Sequence, residues 1–346
     1  MTSKQKSHSR EWLFCLLLVS LLGCQQRPDV VKLTGPTMGT IWHVTYVSGT
    51  ATVSEREIAE GISQQLEAVN SSMSTYRDGS EINRINAAPE GDWIALSPSF
   101  AAVLSTALAV GSASRGAYDV TVGPLVDLWG FGPEGAVTEV PGDDSIRAML
   151  GRIGHDQLEF EAAGQRLRKR GALELDFSSL AKGYGVDRIS DWLLAQGVGR
   201  FLVEVGGEIR TAGLSGRGDL WRVAIEQPEA GARNVAATVA LRDLALATSG
   251  DYRNFFTVDG VQYSHTIDPR SGYPIDHPLV SVTVAHPSGM FADAWATALL
   301  ALGEEAEAVA LAQALAVYFI HRSDEGYEHS YTPEFAPLLV QADGSG

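Results

Sequence analysis

Asp293 and Thr297 stand four residues apart in Ala292-Asp293-Ala294-Trp295-Ala296-Thr297-Ala298-Leu299. On a helix that spacing puts both on one face. A carboxylate with a hydroxyl one turn on can bind a hard cation through oxygen. The alanines around them would let another segment pack closely. The pair also fits a plainer role, with Asp293 answering the helix dipole and Thr297 filling space. A second stretch with chemical potential runs Leu175-Asp176-Phe177-Ser178-Ser179-Leu180-Ala181-Lys182-Gly183-Tyr184-Gly185-Val186-Asp187. The apolar run from Ala172 to Phe177 predicts a strand. Val186, Ile189, Leu193 and Leu194 predict one buried helix face, with Gly197 just past the end. Free N–H groups at a helix start attract phosphate. Ser178 and Ser179 would add hydroxyls, Lys182 a positive charge, and Gly183 room for a ligand. The alternative is a serine cap on an ordinary helix with a surface lysine.

His265 closes a strand-like run and is followed by Asp268-Pro269-Arg270-Ser271-Gly272, which is turn chemistry. A histidine so placed could serve as a general base or orient a phosphate leaving group, although lone histidines are more often structural. Thr248-Ser249-Gly250-Asp251-Tyr252-Arg253-Asn254 reads as a dense polar turn of the kind held by Asx-type hydrogen bonds.

The elements that must position these residues follow from periodicity. Gly39 to Val47 alternates as a strand. Ser54 with Glu57 forms a capping box for a helix buried through Ile58, Ile62, Leu66 and Val69. Short helices are expected from Ser80 to Asn86 and Asp144 to Leu150, and a longer one from Ser97, with Pro98 at its first position, to Ser114. Leu158–Phe160 and Arg166–Arg168 flank a hairpin turn. Later strands are expected at Phe201–Val205, Arg210–Ala212, Trp221–Glu226, Ala236–Leu241, Phe255–Val258, Leu279–Ala285 and Ala316–His321. Helices from Ser288 to Leu302 and Glu304 to Leu315 complete the pattern. Strands and helices mix without a regular βαβ beat. The fold class is therefore a single α+β domain of mainly antiparallel strands. No Gly-x-Gly-x-x-Gly follows the first strand, which argues against a dinucleotide Rossmann site.

The 346 residues, 45% hydrophobic and 20% charged, suit an ordinary globular chain, and the net charge of −16 argues against a nucleic-acid partner. At the N-terminus Lys4, Lys6 and Arg10 precede the apolar run Trp12–Leu22, which is too short for a stable spanning anchor. It ends in Leu21-Leu22-Gly23-Cys24, which looks like a bacterial lipobox. The expectation is a signal peptide over 1–23, lipidation of Cys24, a tether over 24–34 and a domain over 35–346. A plain secretory signal or an uncut anchor is the alternative. Cleavage would remove Cys15 and leave the domain without a free thiol or a disulfide.

Taken together and in order, several motifs resemble the ApbE family of FAD:protein FMN transferases. They are Pro36-Thr37-Met38-Gly39-Thr40, Met73-Ser74-Thr75-Tyr76, Gly116-Ala117-Tyr118-Asp119-Val120-Thr121, Asp176 to Asp187, Ala247 to Arg253, His265 to Pro274 and Ala292 to Leu299. The resemblance implies magnesium-dependent transfer of the FMN half of FAD to a threonine hydroxyl of a target protein, with release of AMP. It implies extracytoplasmic redox targets, such as subunits of sodium-pumping quinone reductases and Rnf-type complexes. It also implies a lipid-anchored location facing the periplasm and a flavin cleft. By position, Met38, Tyr76, Ala117, Tyr118 and Asp119 would line the flavin site, and Ser178, Tyr184 and Ile267 would contact FAD. The Ala181 carbonyl, Asp293 and Thr297 would hold magnesium, a role manganese could also fill. Lys182 and the helix start near Ser179 would hold the pyrophosphate, and His265 would assist transfer. Many members carry Gly-Gly at Ser178-Ser179, alanine at Gly185 and threonine at Ser271. An FAD pyrophosphatase and a non-enzymatic flavin-binding lipoprotein are the competing readings.

Overall fold

The computed structural model describes residues 29–49, 53–133, 135, 137, 139–229, 234–251 and 255–341. The signal expected over 1–23, the lipidation at Cys24, and Tyr252, Arg253 and Asn254 lie outside the described residues.

The chain opens with a hairpin, β1 (Val30–Thr37) and β2 (Thr40–Val47), paired along its whole length. The expected tether over 24–34 is corrected here, since Val30 to Thr34 belong to β1. Only a partner strand reveals this, because one edge strand with a lysine among its apolar residues reads as polar linker. The two-residue turn holds both Met38 (φ 47°) and Gly39 (φ 69°) left-handed, as a type I′ hairpin requires.

Then come α1 (Glu55–Met73), α2 (Glu81–Asn86), β3 (Ile94–Ala95), α3 (Pro98–Ala113), α4 (Gly123–Leu128) and α5 (Asp143–Leu150). The Ser54–Glu57 capping box is complete, with both reciprocal bonds present. β4 (Leu158–Glu161) and β5 (Arg166–Lys169) form the expected hairpin, and α6 (Ala181–Ala195) follows. After it stand β6 (Phe201–Val205), β7 (Glu208–Ala212), β8 (Trp221–Glu226), β9 (Val235–Leu241), β10 (Ala245–Gly250), β11 (Phe255–Val258) and β12 (Val261–Ser264). The last elements are β13 (Leu279–His286), α7 (Gly289–Leu302), α8 (Ala306–Ala312), β14 (Ala316–Ser323) and β15 (Gly326–Tyr331).

The main sheet has eight strands in the order β1-β2-β6-β7-β10-β13-β14-β15. Every neighbouring pair is antiparallel, so the architecture is α+β, as the sequence predicts. α6 and α7 pack on one face of this sheet and on each other. Val282 and Val284 of β13 turn toward that helical layer, while Val280 and Ala285 face the β8–β9 side. With both faces covered, β13 reads as a continuous apolar run rather than an alternating one.

Two expectations about local structure change. The run from Ala172 to Phe177 is extended but makes only an isolated parallel bridge, Val122 to Glu174. In place of a partner strand, the Asn86 side chain accepts from Leu175 N–H (2.8 Å) and donates to Leu175 C=O (3.0 Å). The polar stretch from Thr248 is the end of strand β10, not a turn. The hydroxyls of Thr248 and Thr283 meet at 2.8 Å across its pairing with β13, so residues that suggest a loop are satisfied within the sheet.

Candidate active site

The site is built where α6 crosses α7. A Cβ added to Gly183 would lie 2.3 Å from Gly289 O and 2.7 Å from Asp293 Cβ. The two helix backbones therefore touch, which only glycine permits. This approach brings the Asp293 carboxylate to the start of α6, where its Oδ2 accepts from Gly183 N–H at 2.9 Å. Helix starts leave N–H groups without intrahelical partners. The serines do not supply the cap: Leu180 occupies the cap position without a side-chain bond. Ser178 is exposed, and its N–H donates to Asp176 Oδ1. Ser179 Oγ instead donates to Tyr118 Oη at 2.9 Å. Asp293 thus fills, from another helix, the place that the alternative reading gave to a serine cap.

Lys182 leaves the first turn of α6 and donates from Nζ to Glu208 Oε1 at 2.7 Å. Glu208 opens β7 and is 3% exposed, and among the described residues its Oε2 has no hydrogen-bond partner. Burial opposes the Lys182 charge, but Asp293 and Glu208 outweigh it and raise its pKa above the lysine range. Burial pushes Glu208 up to about 8 against the pull of Lys182, and it also raises Asp293, which is 2% exposed. Two buried carboxylates compete for one ammonium, so near neutral pH Glu208 largely keeps its proton. Thr297 follows Asp293 by one turn, and its hydroxyl meets Ser249 Oγ of β10 at 3.0 Å. Ala181 is the first residue of α6.

These residues fit a hard divalent cation. The donors on hand are a carboxylate, a hydroxyl and a backbone carbonyl, all oxygen. Among the described residues no group of three or more His, Cys, Asp or Glu could hold a metal, which disfavours a site of the zinc type.

The other expected residues fall into two groups. Ala117, Tyr118 and Asp119 are buried close to α6. Burial lifts the Tyr118 hydroxyl far above the usual tyrosine value, with Ser179 opposing and Asp293 and Asp176 adding to it. Asp119 is engaged by its neighbours: Thr121 N–H and Oγ1 donate to Oδ1 at 2.8 and 2.6 Å, and His155 N–H donates to Oδ2 at 2.8 Å. Tyr184 is half-buried on α6, and Met38 lies close to Gly185 of the same helix. The second group surrounds Phe131. Tyr76 is 68% exposed, and its hydroxyl donates to Phe131 O at 3.1 Å. His265 is half-buried and edge-on to the Phe131 ring at 6.2 Å. Ile267 is buried with Leu125, Trp129 and Ile146. The charge of the Asp176 carboxylate adds to the raised pKa of both Tyr76 and Tyr118.

Sequence reasoning missed Glu208, Ser249 and Asp187. Glu208 follows Gly206-Gly207, a turn signal with no hint of its partner. Ser249 was assigned to a turn, and Asp187 passes for a surface residue of a helix.

The ApbE family profile matches residues 38–319, and the chain belongs to the ApbE family. It is 43% identical to a protein of Vibrio cholerae named FAD:protein FMN transferase, over 95% of this chain and 99% of that one. The solved structure titled Flavin Transferase ApbE from Vibrio cholerae aligns with a TM-score of 0.84 at 42% identity, covering 90% of this chain and 100% of that one. The apo flavinyl transferase ApbE of Pseudomonas stutzeri aligns with a TM-score of 0.83 at 38% identity, covering 92% and 98%.

Proposed function

We propose that this chain is an FAD:protein FMN transferase that moves the FMN part of FAD onto a threonine hydroxyl of a target protein and releases AMP. The observation that carries this reading is the cluster of two buried carboxylates, Asp293 and Glu208, with the half-buried Lys182 at the α6–α7 crossing, in a chain of this family. Phosphoryl transfer depends on positioning and charge neutralisation more than on covalent help. Asp293, Thr297 and the Ala181 carbonyl would hold magnesium or manganese. Such an ion, when bound, neutralises pyrophosphate oxygens.

The residues of the chain divide the remaining work. Lys182, held by Glu208, presents a fixed positive charge toward the pyrophosphate. Met38, Tyr76, Tyr118, Tyr184 and Ile267 are the proposed flavin and nucleotide contacts, with Ala117 and Ser178 beside them. The role of Asp119 is to hold the Ala117–Thr121 loop through Thr121 and His155. His265 takes the acceptor proton as the threonine oxygen bonds to the FMN-side phosphorus and the bond to AMP breaks.

The same reading places the mature protein in the cell envelope of a bacterium. Residues 1–23 would be removed and Cys24 lipidated, so that a short segment before β1 tethers the domain facing the periplasm. Among the described residues no helix is long and apolar enough to cross a membrane. The targets would be extracytoplasmic redox proteins, such as subunits of quinone reductases or Rnf-type complexes.

The test mixes the mature protein with FAD, magnesium and a threonine-bearing acceptor protein, and follows the acceptor by mass spectrometry. An FMN adduct on threonine that disappears with EDTA and with Asp293→Ala is the expected result. FMN and AMP without an adduct would make it a pyrophosphatase. No turnover of FAD would leave only flavin binding.

A further inference from the structure

The cation site at Asp293 has a lysine beside it, which is an unusual neighbour for a place that must attract a dication. Lys182 adds a positive charge that acts on the Asp293 carboxylate. Taken alone, those two groups cancel, and a neutral pair would attract a cation weakly. Glu208 changes the sum. Its carboxylate is almost wholly buried, one oxygen accepts from Lys182 at 2.7 Å, and the other has no hydrogen-bond partner among the described residues. A buried carboxylate oxygen without a partner costs free energy, so its retention calls for an explanation within the site.

The path of Lys182 is also built. A Cβ added to Gly206 would lie 3.2 Å from Lys182 Cδ and 2.9 Å from Thr40 Cγ2. Gly206 is left-handed at φ 58° and Gly207 at φ 107°. This turn between β6 and β7 leaves room for the lysine stem and delivers Glu208 to its tip.

We propose that Glu208 is an electrostatic positioning residue. It fixes the Lys182 ammonium and, once its own proton has left, offsets that ammonium, so that one site can hold both a dication and the anionic pyrophosphate. This deepens the functional reading above and rests on it. Glu208 touches neither ion directly. It acts through Lys182 and through its own charge, as outer-shell carboxylates do in other metal sites.

The charge count makes opposite predictions for two neighbours in contact, which a structural role does not. Removing the Glu208 charge should weaken cation binding, and removing the Lys182 charge should strengthen it. Removing both should bring it back. For FAD the Lys182 change should weaken binding.

The experiment titrates Mn2+ into the apo protein at about pH 8.5, where Glu208 has mostly lost its proton, read by the paramagnetic signal of the free ion, and needs no turnover. Glu208→Gln keeps the shape and is expected to weaken Mn2+ binding roughly ten-fold or more. Lys182→Met is expected to tighten it, and the double variant to lie within about threefold of the wild type, the residual coupling expected for neighbours in contact. If Glu208→Gln does not fold, as judged by circular dichroism, Lys182→Met and the double variant still decide. Asp293→Ala separates the two levels of inference. If it leaves Mn2+ binding intact, the cation site itself is elsewhere and the functional reading fails with it. If it abolishes binding while Glu208→Gln changes nothing, or Lys182→Met weakens binding too, the reading stands and the role given to Glu208 is wrong.

Discussion

Asp187 of α6 binds the start of α7 through Ser288: Ser288 Oγ donates to Asp187 Oδ2 at 2.8 Å, and the next two backbone N–H groups, of Gly289 and Met290, donate to the same carboxylate at 2.7 and 3.0 Å. Arg210 completes the set at 2.9 Å. With Gly183 donating to Asp293 in the other direction, each helix caps its neighbour. The two helices that carry Lys182 and Asp293 are therefore locked in register by side chains that are not themselves expected to touch substrate.

Asp187→Ala should cost roughly 3 kcal/mol, because it strips a largely buried carboxylate from three N-terminal donors and leaves Arg210 with only Asp191. Urea unfolding checks this. A loss below about 0.5 kcal/mol, the range of surface substitutions, would mean that the caps are redundant. Asp187→Asn should lie between, since it keeps acceptor geometry and loses charge.

Two glycines two positions apart on α6, Gly183 and Gly185, should behave oppositely. Gly183→Ala puts a methyl into Gly289 O and Asp293 Cβ at 2.3 and 2.7 Å. It should cost about 2 kcal/mol or more by overpacking, and displace Asp293. Gly185→Ala meets only Leu66 Cδ2 at 3.4 Å and Met38 Cε at 3.6 Å. It should be tolerated and stabilise by about 0.5–1 kcal/mol through helix propensity. Thermal melts of both variants check the pair, and equal effects would contradict the close approach seen only at Gly183.

Ser249→Ala should leave the fold within about 1 kcal/mol of the wild type, the cost of one partly buried hydroxyl contact. It should weaken Mn2+ binding, because the Thr297 hydroxyl loses the partner 3.0 Å away that orients it. Ser249→Thr, which keeps the hydroxyl, should restore part of the affinity. If Ser249→Ala binds Mn2+ like the wild type, Thr297 needs no such support.

Stability should fall as pH rises from 6 to 9 through the Asp119–His155 pair, whose Nδ1 and Oδ2 lie 3.0 Å apart. The Asp119 hydrogen bond, helped by its charge and opposed by burial, raises His155 above 6.5. A raised folded pKa contributes stability that is fully present below the unfolded value and lost as pH rises through the folded one. Burial disfavours the Asp119 carboxylate, but His155 and Thr121 outweigh it and hold it below 3.8. Its own contribution is therefore lost only as pH falls through that depressed value. The urea midpoints of wild type and His155→Gln should converge between pH 6 and 9. A gap that stays constant would show that the imidazole charge adds nothing.

Local patterns were legible because they depend on neighbours in the chain. The Ser54–Glu57 box, Pro98 at a helix start, Ser288 as a cap and the four-residue spacing of Asp293 and Thr297 all follow from helix geometry and short-range hydrogen bonds. The ordered motifs were legible too, and so was the family. What the sequence could not display was which distant group completes each local element. Ser178 and Ser179 have the composition of a cap, yet Asp293 fills that place from 110 positions away. Thr248 and Ser249 have the composition of a turn, yet β13 and α7 absorb their hydroxyls. Glu208 has no local signature at all, because the group it accepts from, Lys182, lies 26 positions away in the chain. Chain-local energies chose the helices and hairpins. Only the packing of α6 on α7, allowed by two glycines, decided which carboxylates and which lysine share one buried space.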